Sequence, residues 1–223
     1  FIYYGRNIMH FTDRTQAGKL LAKVLKTYQG KDVVVFALPR GGVVTALEIA
    51  KYLHAPLDLI ITRKIGHPYQ PEYAIAATAE NGHIIGTKSE LASVDKQWLQ
   101  EEIEKQGIEA KRRREIYIQN RKPVSAEGKI AILIDDGIAT GLTMRVGILE
   151  LKHHHPKKII VAVPVIPRQT ANILEKEVDE VVALDTPPED MFLGSVGAYY
   201  DYFPQVSDEE VIDLLTNYKR NRL

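Results

Sequence analysis

Five short runs of apolar, mostly β-branched residues recur along the chain, and this repetition constrains its fold more than any other feature. The runs are VVVFAL at 33–38, LDLIIT at 57–62, IAILI at 130–134, and the stretches 158–164 and 180–184. Runs without polar alternation are typical of strands covered on both faces, as in parallel sheets. Segments with helical spacing separate most of these runs. The sequence therefore predicts an α/β protein with a doubly wound, mainly parallel five-stranded sheet.

The segments between the runs carry the start and stop signals of helices. Apolar residues at helical spacing between 17 and 25 follow Thr12 and Asp13, either of which can cap a helix, and Gly30 ends that segment. The other helices are expected at 43–53, from Ser93 or Asp95 to about Asn120, at 142–151, at 168–176 and from Ser207 or Asp208 to about Tyr218.

The interval between the second and third runs breaks the alternation of strands and helices. A loop rich in Gly, Pro and Tyr is expected at 64–73, and Asn81-Gly82 lies between the apolar segments 74–80 and 83–86, which is typical of a β-hairpin. We therefore expect a hairpin extension beside the main sheet. The whole chain, 1–223, is expected to be a single domain with a core at about 30–185, and 1–12 and 186–223 form a small cap or hood.

Composition disfavours several classes of protein. The chain has 29 basic and 29 acidic residues, which disfavours a nucleic-acid partner. The basic run Lys111–Arg114 shares its predicted helix with many glutamates, so a solvated charged face is the preferred interpretation. The absence of cysteine excludes disulfides. Because no apolar run approaches about 18 residues and the start lacks a signal-peptide pattern, we expect a cytoplasmic protein with no membrane partner.

A strand, a pair of acids and a Gly/Thr loop follow one another in KIAILIDDGIATGLT, residues 129–143. The apolar run stops at Asp135 and Asp136, and a helix is expected directly after the loop. The N–H groups of such a loop and the N-terminus of a helix attract phosphate. Two adjacent carboxylates can accept hydrogen bonds from vicinal sugar hydroxyls, or lie beside a magnesium ion. The pattern therefore predicts a sugar phosphate site.

This stretch resembles the phosphoribosyl diphosphate (PRPP) signature of type I phosphoribosyltransferases: an apolar strand, two acids, two or three variable residues and Thr-Gly-x-Thr. The resemblance covers about 33–184 and implies the strand order 2-1-3-4-5. It implies that Asp135 and Asp136 are catalytic residues that hold the 2′- and 3′-hydroxyls, with Mg²⁺ bound through PRPP near them and not by direct protein ligands. The residues implied to bind the 5′-phosphate are Gly137, Ile138, Ala139, Thr140, Gly141, Leu142 and Thr143.

A second polar group, Arg40-Gly41-Gly42, follows the first predicted strand. The guanidinium group of an arginine beside glycines can bind a diphosphate through paired hydrogen bonds. The family carries a pyrophosphate-binding loop in this place, often with a cis peptide. Arg63 and Lys64 end the second strand, where a cation could neutralise the leaving diphosphate. Since alternation points these two side chains opposite ways, Lys64 is the candidate catalytic cation and Arg63 a further pyrophosphate-binding candidate.

The base-binding side of the site is less defined. GHPYQPEY at 66–73 stands where the family has a flexible catalytic loop but lacks its usual basic and serine residues, and Glu72 is either a catalytic candidate or an ordinary loop carboxylate. Ala139 stands where the enzymes that act on 6-oxopurines usually have aspartate, and DDGIATGLTM looks like the adenine form DDLLATGGTM. The resemblance therefore disfavours guanine and hypoxanthine, but it does not establish adenine, because Gly137 and Leu142 differ from that form. The segment 186–205 is rich in aromatic residues that could stack on a flat base or pack in a small aromatic core under the last helix, namely Phe192, Tyr199, Tyr200, Tyr202 and Phe203. Phe192 and Tyr199 are the selected candidates for stacking.

The resemblance implies an enzyme that transfers the 5-phosphoribosyl group from PRPP to a nitrogenous base and releases pyrophosphate. Mg²⁺ is the expected cofactor and a homodimer the expected assembly. One alternative is a PRPP- or nucleotide-sensing regulator with the same site and little catalysis, which the short 66–73 loop favours. Another is a hydrolase or phosphorylase that acts on a ribosyl phosphate without a base acceptor. His153–His155 is not expected to bind a metal, because three consecutive side chains cannot share one helix face.

Overall fold

The apolar runs form strands, and helices occupy most of the intervals between them. A computed structural model describes residues 9–119 and 122–220. The strands are β1 (Val33–Ala37), β2 (Leu57–Leu59), β3 (Thr62–His67), β4 (Gln70–Ala79), β5 (Ile84–Gly86), β6 (Ile130–Ile134), β7 (Lys158–Val165) and β8 (Glu180–Asp185). The helices are α1 (Arg14–Val24), α2 (Gly41–Leu53), α3 (Lys88–Ala92), α4 (Lys96–Ile118), α5 (Leu142–Lys152), α6 (Arg168–Leu174) and α7 (Asp208–Arg220).

The main sheet has five parallel strands in the order β2-β1-β6-β7-β8. This confirms the predicted doubly wound α/β fold and the order 2-1-3-4-5 of the five core strands. β1 pairs with β6 in register, with Val33 beside Ile130 and Ala37 beside Ile134. Because both strands end at the same edge of the sheet, the loops that follow them are neighbours there.

Two apolar cores, one on each face of the main sheet, explain why the runs lack polar alternation. Val33 and Val35 face a core built with α1, α2, α4 and α7, whereas Val34 and Phe36 face a second core built with α5 and α6. All four of these β1 side chains are almost fully buried. A strand covered on both faces has no solvent side, so every position favours an apolar residue.

A separate antiparallel sheet, ordered β3-β4-β5, corrects the prediction of a loop at 64–73. Most of that interval is strand, and Lys64 pairs with Ala77 across β3 and β4. Long-range pairing outweighs the local turn residues here, because it also buries Ile65 and Ile75 in one apolar cluster. The predicted hairpin at Asn81-Gly82 is confirmed as the turn between β4 and β5.

Side-chain caps settle the helix starts that the sequence left open. Asp13 accepts a hydrogen bond from the Gln16 N–H, and Asp95 accepts one from the Trp98 N–H. Ser207 Oγ accepts one from the Glu210 N–H at the start of α7. Over residues 9–119 and 122–220, no helix combines the length and apolar character needed to cross a membrane. The predicted end of α4 near Asn120 and the first part of the predicted cap lie outside the described residues.

Candidate active site

The loops after β1 and β6 are in direct contact at the carboxyl edge of the sheet. A Cβ placed on Gly42 would lie 2.9 Å from Asp135 Oδ1, and one placed on Gly41 would overlap Asp136 Oδ2. The peptide bond between Pro39 and Arg40 is cis. The structure therefore brings the Arg40-Gly41-Gly42 loop and the acid pair with its Gly/Thr loop together at one edge of the sheet.

The acid pair is largely withdrawn from solvent. Asp135 Oδ1 accepts a hydrogen bond of 2.8 Å from the Asp136 N–H. Burial and the negative charge of Asp136 raise the pKa of Asp135 well above its ordinary value, and the charge of Lys64 lowers it. Burial also raises the pKa of Asp136, against which the charge and hydrogen bond of Arg14 lower it. The arrangement favours a proton on Asp135 and the negative charge on Asp136.

The Gly/Thr loop presents a row of backbone donors. From Ala139 to Thr143, no backbone N–H donates a hydrogen bond to another residue that the structure describes. Gly141 has a φ of 77°, a left-handed conformation that favours glycine, and it is the N-cap of α5. Thr170 Oγ1 donates to the Ala139 carbonyl at 3.0 Å and helps to fix the loop. Such a loop at a helix N-terminus is suited to bind an anion.

Ile138 differs from the rest of the predicted phosphate loop. Its N–H donates to the Val165 carbonyl at 2.9 Å, and its side chain is 3% exposed in the core. A phosphate-binding role for the Ile138 N–H would require this bond to break. Gly137 has no room for a side chain, because a Cβ there would overlap Val196.

Arg14 is a site residue that the sequence analysis missed. Its Nε donates to Asp136 Oδ2 at 2.6 Å, and its side chain is 10% exposed. It is the first residue of α1, for which the sequence predicted only a cap and an apolar face. An arginine directly after a helix cap is common on protein surfaces, so no local signal distinguishes this one. Its burial beside Asp136 depends on contacts across 122 positions.

Arg40 lies at the N-terminus of α2, and a carboxylate from the end of the chain contacts it. Arg40 Nη1 is 3.3 Å from Asp208 Oδ1, which also accepts a hydrogen bond of 2.7 Å from the Tyr117 hydroxyl. Burial, together with the hydrogen bond to Asp208 and the Asp208 charge, raises the pKa of Tyr117 to about 12. The predicted pyrophosphate-binding arginine is therefore partly neutralised in this structure by α7.

Lys64 and Arg63 point in opposite directions from β3, as the alternation of strand residues requires. The charge of Lys64 acts on Asp135, which places Lys64 on the site side. Arg63 Nε donates to Gln106 Oε1 on α4 at 2.9 Å. The contact with Gln106 does not favour the predicted pyrophosphate role of Arg63, and the catalytic role of Lys64 stays a prediction.

Glu72 lies on β4 near the hairpin turn that replaces the predicted loop. It is exposed, and its side chain makes no hydrogen bond or ion pair with another residue in the described part of the chain. The neighbouring Tyr69 and Tyr73 are also exposed, at 88% and 51%. Neither the geometry nor the contacts of this hairpin tip assign a catalytic function to Glu72.

The aromatic residues that contact Asp136 and Arg14 are not the two selected from the sequence as stacking candidates. Tyr199 is fully buried and packs on Phe192, with ring centroids 5.6 Å apart. This packing matches the alternative of a small aromatic core and leaves no face of Tyr199 open to a base. By contrast, the Tyr200 hydroxyl donates to the Asp136 carbonyl at 2.6 Å, and the Phe203 ring lies 3.6 Å from Arg14 Cζ.

The histidines at the end of α5 take part in a separate polar cluster. His154 Nε2 is 3.5 Å from Glu150 Oε1, and His153 stacks on His83 with centroids 4.2 Å apart. Within 9–119 and 122–220, no group of three or more His, Cys, Asp or Glu residues is arranged to hold a metal ion.

The phosphoribosyl transferase domain family matches residues 14–202, which include both loops and Arg14. Two proteins of Mycobacterium tuberculosis, from strains CDC 1551 / Oshkosh and ATCC 25618 / H37Rv, are provisionally named phosphoribosyl transferases, and each is 40% identical to this chain over 219 residues. That match covers 95% of this chain and 47% of each relative, so the chain spans about half the length of these relatives.

A solved structure shares both sequence and fold with this chain. The crystal structure of the protein TT1426 from Thermus thermophilus has 37% sequence identity and a TM-score of 0.78. The match covers 94% of this chain and 99% of the Thermus chain.

Proposed function

The chain belongs to the type I phosphoribosyltransferase family, and from this premise we propose that it transfers the 5-phosphoribosyl group of PRPP to a nitrogenous base. The proposal rests on the backbone N–H groups from Ala139 to Thr143, which have no hydrogen-bond partner in the described part of the chain and lie next to the acid pair. A phosphate bound to these groups would place a five-carbon sugar next to Asp135 and Asp136. Thr140 and Thr143 add hydroxyl donors.

The pyrophosphate of PRPP would lie against Arg40, Gly41 and Gly42. The glycines allow the backbone to approach, and Gly42 already touches Asp135. Lys64, on the site side of β3, would neutralise the charge that develops on the leaving group. Arg40 would exchange its contact with Asp208 for the diphosphate, since a multiply charged anion attracts a guanidinium more strongly than one carboxylate does.

In the proposed reaction the bond between ribose C1′ and the pyrophosphate oxygen breaks, and pyrophosphate leaves with the electron pair. A bond from a base nitrogen to C1′ forms, and the base loses a proton. Positive charge develops on the ribose ring between these events. The negative charge of Asp136, in a site shielded from water, would stabilise that charge, while both carboxyl groups hold the ring hydroxyls.

Magnesium fits this site as a partner of the substrate. One oxygen of each acid is already engaged, Asp136 Oδ2 by Arg14 and Asp135 Oδ1 by a backbone N–H. The two carboxyl groups therefore offer a metal ion only a few oxygens. Magnesium prefers six oxygen donors, and it is often bound through substrate phosphates. When bound with PRPP near Asp135 and Asp136, the ion would offset charge on the leaving pyrophosphate.

The regulatory alternative rested on the short loop at 66–73, which the structure replaces with the β3–β4 hairpin. No observation in the described part of the chain now favours a sensor over an enzyme. We further propose that 1–223 acts as one domain and that the assembly is a homodimer.

Calorimetric titration of PRPP with and without magnesium tests the proposal. We expect magnesium-dependent binding, followed by release of pyrophosphate when the correct base is added. Product analysis would identify a ribosyl hydrolase, because ribose 5-phosphate would appear without any base. Folded protein that fails to bind PRPP would remove the transferase proposal and leave only an analogy of fold.

A further inference from the structure

Arg14 is held on three sides, although it lies in the first turn of a helix. Its Nε donates to Asp136 Oδ2 at 2.6 Å, and its Nη1 donates to the Pro204 carbonyl at 2.8 Å. Its guanidinium also lies over the Phe203 ring, 3.6 Å from the centroid. A guanidinium that donates two hydrogen bonds and stacks on an aromatic ring has little rotational freedom. Arg14 is therefore a rigid group and not an exposed cation that happens to lie near an acid.

The ion pair fixes the carboxylate that would bind ribose. Only 10% of the Arg14 side chain and 14% of the Asp136 side chain are exposed, so water screens the attraction between their charges only weakly. Removing one member of such a buried pair leaves the other charge without compensation. A Cβ on Gly41 would lie 2.8 Å from Arg14 Nε, so the pyrophosphate loop also packs against this pair.

The C-terminal aromatic segment Tyr200–Pro204 holds Arg14 and Asp136 together. Phe11 forms a β-bridge with Tyr200, and the Phe11 N–H donates to the Tyr199 carbonyl at 2.8 Å, which places this segment beside the start of α1. The Tyr200 hydroxyl donates to the Asp136 carbonyl at 2.6 Å, and the Tyr200 ring packs on Phe203 with centroids 4.7 Å apart. The segment thus contacts both the arginine and the backbone of the acid.

We propose that Arg14 is a positioning residue that orients the Asp136 carboxylate for the ribose hydroxyls, and that Tyr200–Pro204 in turn orients Arg14. This inference rests on the proposed function, because it assigns a partner to the acid that would hold the sugar. It gives the aromatic segment a role in binding PRPP through Arg14, in addition to any contact with the base.

The test compares the dissociation constants of PRPP and of inorganic pyrophosphate, both measured by calorimetry with magnesium. Pyrophosphate lacks the sugar, so loss of ribose positioning should weaken PRPP selectively. We expect Arg14→Met to weaken PRPP binding about tenfold or more while pyrophosphate binding changes by less than about threefold. Arg14→Lys retains the charge but not the fork, so it should restore part of the loss.

Lys19→Met is the matched control, because it removes one exposed cation from the same helix. We expect it to leave both dissociation constants unchanged. Equal weakening of PRPP and pyrophosphate by Arg14→Met would overturn the inference, since it would indicate a general structural role or direct pyrophosphate contact. If Arg14→Met does not fold, Tyr200→Phe removes one hydroxyl from the Asp136 carbonyl and should weaken PRPP several-fold with pyrophosphate preserved.

A second readout separates failure of this inference from failure of the proposed function. If the wild-type protein does not bind PRPP, hydrogen exchange still reports on the Arg14 contacts through the hydrogen-bonded backbone amides of two segments, at 136 and 138 and at 200–202. Faster exchange in both segments of Arg14→Met or Tyr200→Phe, but not of Lys19→Met, would support the positioning role. Unchanged exchange would overturn it.

Discussion

Gly41 and Asp136 are in contact across the two loops of the site, so closely that a Cβ on Gly41 would overlap Asp136 Oδ2. The carboxylate cannot easily move aside, because Arg14 holds the same oxygen at 2.6 Å. Glycine is therefore required at position 41 by the close approach of the predicted pyrophosphate loop to the acid pair.

We expect Gly41→Ala to weaken binding of PRPP by about tenfold or more, because it displaces Asp136 from Arg14. Calorimetric titration measures the change. Gly107→Ala is the control, since Gly107 lies inside α4 with open space around it and alanine there should stabilise the helix by about 1 kcal/mol. Unchanged PRPP affinity in Gly41→Ala would mean that the contact is not part of the binding site.

The two acids should respond differently to substitution by asparagine. Asp136→Asn removes the charge that pairs with Arg14, so we expect PRPP binding to weaken at least about tenfold with the fold intact. Titration calorimetry and circular dichroism together check this. An Asp136→Asn variant with wild-type affinity would show that the sugar lies elsewhere.

Asp135→Asn should alter the pH dependence of stability. The pKa of Asp135 is raised well above 3.8 by burial and by the Asp136 charge, so in the interval above 3.8 the folded protein keeps a proton that the unfolded chain releases. The free energy of unfolding of the wild type therefore falls as pH rises through this interval. Asparagine has no carboxyl group to ionise, so the variant lacks this dependence of stability on pH.

Consequently, the stability of Asp135→Asn relative to wild type should increase with pH, as measured by urea denaturation at about pH 4 and about pH 7. Asp32→Asn, at an exposed carboxylate, controls for the simple loss of one acid. A difference between Asp135→Asn and wild type that stays constant with pH would show that Asp135 ionises normally in the folded protein.

Arg40→Ala should reduce pyrophosphate binding more than nucleoside monophosphate binding, because the second ligand lacks the diphosphate. Competition measurements against PRPP compare the two ligands. Losses of equal size would count against a pyrophosphate role for Arg40.

Asp208→Asn should have the opposite effect on pyrophosphate. Asp208 lies 3.3 Å from Arg40 and accepts a hydrogen bond from Tyr117. Without its charge, Arg40 is freer to bind an anion, so we expect pyrophosphate affinity to rise about threefold, and the pKa of Tyr117 to fall below about 12 in a spectroscopic titration. Weaker pyrophosphate binding in Asp208→Asn would show that Asp208 positions Arg40 for the ligand.

Glu150 should matter for stability and not for the ligand. It is fully buried on α5, where it accepts hydrogen bonds from Asn81 and His83 of the hairpin turn. Glu150→Ala would leave these partners unpaired, and we expect a loss of about 3 kcal/mol in the free energy of unfolding. Glu104→Ala, at an exposed position of α4, is the control. Equal stability of the two variants would show that the cluster contributes nothing.

Some features of this protein follow from local sequence. Unbroken apolar runs specify strands buried on both faces, and each of the five contributes a strand to the main sheet in the expected order. Only Leu57–Leu59 of the run at 57–62 pairs in that sheet, and Thr62 begins β3. The end of β6 specifies where Asp135 and Asp136 lie, since a parallel strand delivers the next residues to one edge of the sheet. These features depend on side chains that are neighbours along the chain, so the sequence reveals them directly.

The tertiary structure decided the partners of those residues. The turn-rich segment at 64–73 became β3 and β4 because pairing with distant residues satisfied its backbone and buried Ile65 and Ile75. Arg14, Asp208 and Tyr200 reach the site across 122, 168 and 64 positions, respectively. An arginine, an aspartate or a tyrosine is ordinary at each of these places in the sequence. Only folding brings these residues together, and it withdraws Arg14 and Asp136 from most of the water, which strengthens the attraction between their charges.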